Sequence, residues 1–415
     1  MQNSPADRSR LATDLTVMQI GLLTSFFALG DNADSGIGQH YRILADALAG
    51  QGHRVHVVHP TLQPERASRA LAALAPRWSC DVVPVAPPAW LGRLFARSWP
   101  SQVLLGELAT AQAASRALAG AVRTHGLEII ETHATGAPAL FYLQRRNRPP
   151  VVTRVSTTLS QMNAVSTVRS RVKGWQVALE RRAVRKSDAL VTHTARHRDA
   201  ICLSDGFDPR AFTLVPHGLP DLPLPPSAPV SKKTELLFVG RFEDRKGIDV
   251  LLDALPAVLA AHPEVHVTLA GSTGDGLLWK KFTQAHPDLA GSRVVSLGIV
   301  SPEKLQSLYI ECDLLVAPSR YESFGLIYVE AMRCAKPVVG CNAGGIPEVV
   351  TDGVTGLLCP PGDVAGLTAC LLRLASDRTL RERLGRAGRE DFLRRFSAAE
   401  LARASVNCYR RVLAS

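Results

Sequence analysis

Metal-binding and disulfide patterns are missing from this 415-residue sequence. Its eight cysteines are scattered, with no Cys-x-x-Cys pair. That indicates neither a zinc site nor a disulfide framework, and a reducing cytosol suits the chain best. No Asp-x-Asp loop stands ready for a divalent cation either. Charged residues make up 20% against 46% apolar ones, which excludes a disordered chain and indicates a well-packed globular one. Long apolar runs are also wanting. The best candidate, Val17 to Leu29 behind Arg8 and Arg10, imitates the core of a signal peptide, but Gln19, Thr24 and Ser25 interrupt it and it is too short to span a bilayer. It reads as a first strand preceded by a short mobile tail.

Charge is present but unevenly placed. The formal net charge is +11, and most of the excess falls between Arg145 and Arg198, where 13 basic residues face 2 acidic ones. Such a stretch suits an anionic membrane surface, an acidic acceptor or simply a solvated helix. Nucleic acid is disfavoured, because aromatic residues do not interleave with the basic ones as base stacking would need. The run Trp90 to Arg97 is basic and apolar together, as an interfacial patch or a helix packed on its own domain would be.

At this length two domains of roughly 200 residues are expected. The first opens with a strand at Val17–Leu23, a Gly/Asp/Asn-rich loop, Gly36-Ile37-Gly38, a helix from Tyr41 to Leu48 and a strand at Arg54–His59. Strand, glycine loop, helix and strand make a βαβ unit whose glycines let the backbone approach a diphosphate. Further strands are expected at Cys80–Val85, Leu127–Glu131, Val151–Val155 and Ala189–Thr192, with helices at Ser101–Ala119 and Trp175–Lys186. His133 then falls just beyond a strand end, where open α/β sheets bind ligands. Pro220, Pro223, Pro225, Pro226 and Pro229 mark an extended hinge. A second α/β series follows, with strands near Glu235–Val239, Val265–Ala270, Val294–Leu297, Leu314–Ala317, Pro337–Val339 and Gly356–Leu358. The expected organisation is therefore an N-terminal domain over 1–219, a hinge over 220–231, a second domain over 232–395 and a C-terminal helix over 396–415 that returns to the first domain. The class is α/β, with two Rossmann-like doubly wound domains facing across a cleft.

Chemistry concentrates in two stretches of the second domain. In Pro318-Ser319-Arg320-Tyr321-Glu322-Ser323-Phe324-Gly325-Leu326, a strand ends, a loop follows and a helix begins that is expected over Leu326–Arg333. The free N–H groups of a helix start attract anions, and Ser323, Phe324 and Gly325 stand at that start. Glu322 and Glu330 flank it, so a ligand with an anionic middle and hydroxyl-rich ends, such as a sugar nucleotide, is held at three points. In Gly240-Arg241-Phe242-Glu243-Asp244-Arg245-Lys246-Gly247, Arg241 and Lys246 bring two cations to the place of a diphosphate. Fixed cations of this kind stabilise negative charge growing on a leaving diphosphate, and losing one donor costs on the order of 3 kcal/mol. No divalent metal is then needed.

These motifs, with Gly344-Gly345-Ile346-Pro347-Glu348 and Gly356-Leu357-Leu358, make the chain resemble family 4 of the retaining, sugar-nucleotide-dependent glycosyltransferases of GT-B fold. The resemblance covers nearly the whole length and is strongest from Glu235 to Asp363. It implies that Arg241 and Lys246 grip the donor diphosphate, that Glu330 accepts the ribose hydroxyls, and that Glu322 lies by the donor sugar with the backbone of Ser323, Phe324, Gly325 and Leu326 against sugar and phosphate. It also implies that Gly36, Ile37 and Gly38 close over the phosphates, that His133 lies near the reactive face of the sugar, and that the donor is a UDP- or GDP-sugar with no cofactor or metal. No residue is assigned as a general base. Two departures stand out. The second glycine loop reads Gly271-Ser272-Thr273-Gly274-Asp275-Gly276, leaving base preference open, and Glu131 stands where many members have a second histidine. The first domain is expected to bind a glycan or lipid-linked acceptor, in a cytoplasmic enzyme peripheral to the inner face of the membrane that makes envelope or secreted polysaccharide. The alternatives are a nucleotide-sugar epimerase or hydrolase on the same fold, or a non-catalytic subunit.

Overall fold

The computed structural model describes residues 17–27, 36–74, 76–86, 99–165, 174–224 and 233–415. The N-terminal tail, the loop over 28–35, the Trp90–Arg97 patch and the hinge residues Pro225, Pro226 and Pro229 lie outside the described residues. Grouped by contacts, residues 1–191 and 402–415 form one unit and residues 192–401 the other.

The first sheet comprises β1 (Gln19–Leu23), β2 (Arg54–Thr61), β3 (Ser79–Pro84), β4 (Ile129–His133), β5 (Val151–Arg154), β6 (Ala189–Thr192) and β7 (Phe212–Leu214), in the order β3-β2-β1-β4-β5-β6-β7. Pairings from β3 through β6 run parallel. The helix Trp99–His125 lays Ala111, Ala114, Leu118 and Ala121 against Leu23, Val58 and Ile130, the i, i+3, i+7 stripe of a helix that covers a sheet. It is longer than the expected Ser101–Ala119 because nothing breaks it before Gly126, which takes the left-handed φ of +62°. The strand expected at Leu127–Glu131 runs instead over Ile129–His133. Its register is set by β1, where Ile20 pairs with Ile129 and Leu23 with Thr132, so His133 is the last residue of the strand rather than a loop residue.

The second sheet comprises β8 (Thr234–Val239), β9 (Val265–Ala270), β10 (Val294–Gly298), β11 (Leu314–Val316), β12 (Val338–Cys341) and β13 (Gly356–Cys359), in the parallel order β10-β9-β8-β11-β12-β13. Leu236, Leu237 and Phe238 and all of β11 are buried, as strands covered on both faces must be. Leu251, Leu255 and Val258 of the helix Ile248–Ala261 share one core with Leu367, Leu371 and Leu374 of the helix Val364–Ser376. Asp363 caps the latter by accepting the Gly366 amide at 2.9 Å. Strand order reverses between β1 and β4 in one sheet and between β8 and β11 in the other, and at such switch points the loops leaving the carboxyl ends diverge and leave room for a ligand.

Candidate functional site

Two loops leave β8 and β11 side by side and are stitched together. The chain leaving β8 closes in one 3-10 turn, Asp244–Lys246, capped by Gly247 at φ +66°. A Cβ at Gly247 would run into the Pro318 carbonyl oxygen, so only glycine lets the two loops approach this closely. Arg320 N–H donates to the Arg245 carbonyl at 2.8 Å. The Arg320 guanidinium forks onto Asp249, at 2.8 and 2.6 Å, and also reaches the Asp244 carbonyl.

Glu322 is the hub of the site. Its carboxylate is buried and accepts Lys246 Nζ at 2.6 Å and the Ser319 hydroxyl at 3.1 Å on Oε1, with Arg245 Nη1 at 3.3 Å on Oε2. Of the two cations singled out in the sequence, the structure joins Lys246 to Glu322 and leaves Arg241 apart, two-thirds exposed and 3.2 Å from Glu243. Arg245, inside the same motif, is the second cation at Glu322, and the residue pattern alone does not distinguish it from Arg241. It bonds to Glu322, to the Tyr321 carbonyl at 3.2 Å and to Glu243 at 2.9 Å. Which of the three cations turns inward is decided by the 3-10 turn, whose presence the run of charged residues does not announce.

The helix after β11 spans Leu326–Arg333, with the bounds expected. Gly325 precedes it at φ +89°, no side chain caps its N-terminus, and its first turn holds no acidic residue. Free N–H groups and the positive end of the helix dipole therefore point out of the carboxyl edge. Glu330, one turn further in, accepts the Tyr309 hydroxyl at 2.5 Å. Burial raises its pKa, against the opposing pull of Tyr309, Arg333 and Lys246. Tyr309, 21 residues from Glu330, is a partner that the local sequence does not announce.

The Gly344-Gly345 pair supplies a third backbone layer. Gly345 N–H donates to the Glu322 carbonyl at 2.8 Å, and side chains at either glycine would strike the Glu322 or Ser323 carbonyl. Glu348 at the end of that motif turns the other way, accepting the Ala195 and Arg196 amides at 2.7 Å each.

In the other unit, the helix Gly36–Gly50 begins at the predicted glycine pair, with Gly38 buried and open space where a Cβ of Gly36 would lie. His133 is buried between Phe26 and Tyr41, at ring-centroid distances of 5.2 and 5.9 Å. Burial lowers its pKa to about 4, opposed only in part by the backbone of Thr135, so the ring is neutral at physiological pH. Glu131, the residue that departs from the family pattern, accepts Arg154 Nε at 2.9 Å and the Tyr409 hydroxyl at 2.5 Å. Burial opposes its ionisation, but Arg154, His40 and Tyr409 outweigh that and hold its pKa at about 2. Arg154 is therefore interior and adds nothing to the basic surface counted from the sequence. No helix among the described residues is long and apolar enough to cross a membrane.

Two family profiles match the chain, glycosyl transferases group 1 over residues 225–391 and glycosyltransferase family 4 over residues 35–221. It is 31% identical over 269 residues to the alpha-maltose-1-phosphate synthase of Mycolicibacterium smegmatis, covering 58% of this chain and 68% of that one. The chain belongs to glycosyltransferase family 4. It is also 34% identical over 236 residues to a glycogen synthase of Mycobacterium tuberculosis, covering 56% of each, so it spans about half the length of that relative. Among solved structures, Anabaena HepE in complex with UDP and glucose matches with a TM-score of 0.67 at 21% identity, over 95% of this chain and 100% of that one. The two parallel-sheet α/β domains of this family member have the GT-B fold.

Proposed function

We propose that this family member transfers a hexose from a UDP- or GDP-sugar to a glycan or lipid-linked acceptor, with retention of anomeric configuration and without a divalent metal. The observation that carries this reading is the Lys246–Glu322 pair at 2.6 Å beside the uncapped start of the helix Leu326–Arg333. A cation together with free helix amides supports diphosphate binding, and the carboxylate beside them supports binding of sugar hydroxyls. Lys246 and Arg241 are assigned to the diphosphate, Ser323 to Leu326 to phosphate and sugar, Glu322 to the sugar and Glu330 to the ribose. Gly36, Ile37 and Gly38 are assigned to the phosphates and His133 to the sugar, as a neutral hydrogen-bonding group.

In this reaction the bond from the anomeric carbon to the diphosphate oxygen breaks, and its electron pair leaves with the nucleoside diphosphate. The acceptor hydroxyl oxygen bonds to the same face of the carbon, and its proton passes to the departing phosphate oxygen. Lys246 stabilises the charge that grows on that oxygen. The UDP and UDP-glucose bound by HepE support a nucleotide-sugar donor. The excess of basic residues from Arg145 to Arg198 supports an acidic or lipid-linked acceptor and a place at the inner face of the membrane, in envelope or exopolysaccharide synthesis.

A thermal-shift screen across UDP, GDP, ADP and their sugars tests the donor, because a ligand of the native state raises the melting temperature by mass action. One uridine or guanosine series should stabilise the wild-type chain and leave Lys246→Ala unmoved. Equal stabilisation of both proteins would sink the assignment.

A further inference from the structure

The loop Tyr321–Gly325 has partners beyond the loop that follows β8. The turn after β6, His193 to His197, meets it at three independent points. The Thr194 hydroxyl donates to the Ser323 carbonyl at 2.9 Å. His197 Nδ1 lies 3.1 Å from the Tyr321 hydroxyl. His193 stacks on His197 at 4.6 Å and sets its ring against Phe324, 5.7 Å between centroids, while His217 meets the same Phe324 ring at 5.1 Å.

The turn is itself fixed. Thr194 caps the helix Ala195–Asp205 by accepting the His197 amide, and Glu348 holds the Ala195 and Arg196 amides. Phe324 is almost fully buried among these rings, so its side chain serves packing. A Cβ at Gly345 would approach Thr194 Oγ1 as well as the Ser323 carbonyl, which shows how tightly the three segments meet.

We propose that Thr194, with His193 and His197 beside it, is a positioning residue for the donor. By holding the Ser323 carbonyl and the Phe324 ring it aims the amides at the start of the helix Leu326–Arg333. This role rests on the donor reading above, since the loop it aims is the one assigned to phosphate and sugar. A loop held by one fewer hydrogen bond spends less of its time in the binding geometry, and a bond of this kind corresponds to roughly a fivefold change in affinity.

The test compares Thr194→Val with Thr194→Ser in the full chain. Calorimetric affinity for the nucleoside diphosphate that stabilises the wild type, melting temperature and amide hydrogen exchange are measured for each. Thr194→Val should bind about fivefold more weakly and exchange faster at Ser323 to Ile327, and Thr194→Ser, which keeps the hydroxyl, should match wild type in both. If Thr194→Val binds as wild type with unchanged exchange at those amides, the proposal is wrong. Faster exchange confined to the helix Ala195–Asp205 would reduce Thr194 to a helix cap and overturn it equally. If the wild-type chain binds neither UDP nor GDP, the donor reading fails, and the exchange at Ser323 to Ile327 alone decides whether the turn holds the loop.

Discussion

Lys246 Nζ lies 2.6 Å from Glu322 Oε1, and the same oxygen accepts the Ser319 hydroxyl at 3.1 Å. A carboxylate at the hub of a proposed sugar site is thus already satisfied before any ligand arrives. On the proposed donor assignment, a diphosphate draws Lys246 away and frees Glu322 Oε1 to accept a sugar hydroxyl.

Lys246→Ala is therefore expected to weaken nucleoside-diphosphate binding by on the order of 10²-fold, the size found when one preorganised donor is lost. Its melting temperature should stay close to wild type, because Ser319 and Arg245 still bond Glu322. Titration calorimetry and a melting curve on the same preparation decide it. Wild-type affinity in the variant would remove Lys246 from the site.

Glu330→Gln keeps the size of the side chain and an oxygen for the Tyr309 hydroxyl, but loses the charge that favours two ribose hydroxyls. Affinity for the nucleoside diphosphate should fall by about tenfold, since a charged acceptor makes hydrogen bonds roughly twice as strong as a neutral one. The matching 2′-deoxynucleotide should lose affinity for wild type and little more for the variant. If both proteins discriminate between the two sugars equally, Glu330 does not hold the ribose.

Gly247→Ala puts a Cβ against the Pro318 carbonyl at a residue already held at φ +66°. Strain of this kind costs on the order of 1–3 kcal/mol. The loop carrying Arg245 and Lys246 should part from the loop carrying Glu322, so nucleotide affinity should drop along with stability. Calorimetry beside urea denaturation reads both, and a variant equal to wild type in each would refute the close approach.

In the other unit, Glu131→Ala should destabilise by about 3–5 kcal/mol, because Arg154 stays charged and buried but loses the Glu131 carboxylate. The double variant Glu131→Leu with Arg154→Met removes both charges and should recover much of that loss. Urea denaturation of the wild type, Glu131→Leu, Arg154→Met and the double variant completes the cycle. An additive double variant would mean that the pair does not interact.

Stability should also fall with pH in a particular window. Burial holds His133 and His40 at a pKa of about 4, below the ordinary 6.5, with Arg154 adding to the effect at His40. The unfolded chain therefore binds protons that the native chain refuses between those values, and each histidine costs up to about 1.4 kcal/mol per pH unit as pH falls through the window. Glu131 acts lower: held at about 2 against an ordinary 4.5, it stabilises above that ordinary value and loses its contribution as pH falls towards 2. Denaturation midpoints measured down from neutral pH should decline below about 6.5, and His133→Phe should flatten the slope. A flat wild-type profile would contradict the burial of both rings.

Much of the second unit was legible in its sequence. The helix Leu326–Arg333 has the predicted bounds because an apolar strand, a Pro-Ser-Arg break and an unbroken run of helix formers are all local signals. The strand carrying His133 was misplaced by two residues, since its ends are set by pairing with β1, a segment more than 100 residues away. Arg245 and Tyr309 were not legible for a related reason. A side chain's inward turn, or its meeting with Glu322 or Glu330, depends on a neighbouring element whose position the local sequence does not encode.

By itself the sequence determined the α/β class, the series of strands, the glycines that let loops approach and the carboxylates and cations gathered in a few motifs. Each is a matter of local periodicity, backbone freedom or residue chemistry, which act over a few neighbours. Only the tertiary structure decided that Lys246 and Arg245 meet Glu322 while Arg241 stays in solvent. It alone decided that Glu348 accepts the first amides of the helix Ala195–Asp205, and that Thr194, 129 residues from Ser323, holds its carbonyl. Those outcomes depend on distances between segments far apart in the chain, and such distances exist only once the sheets and helices have packed.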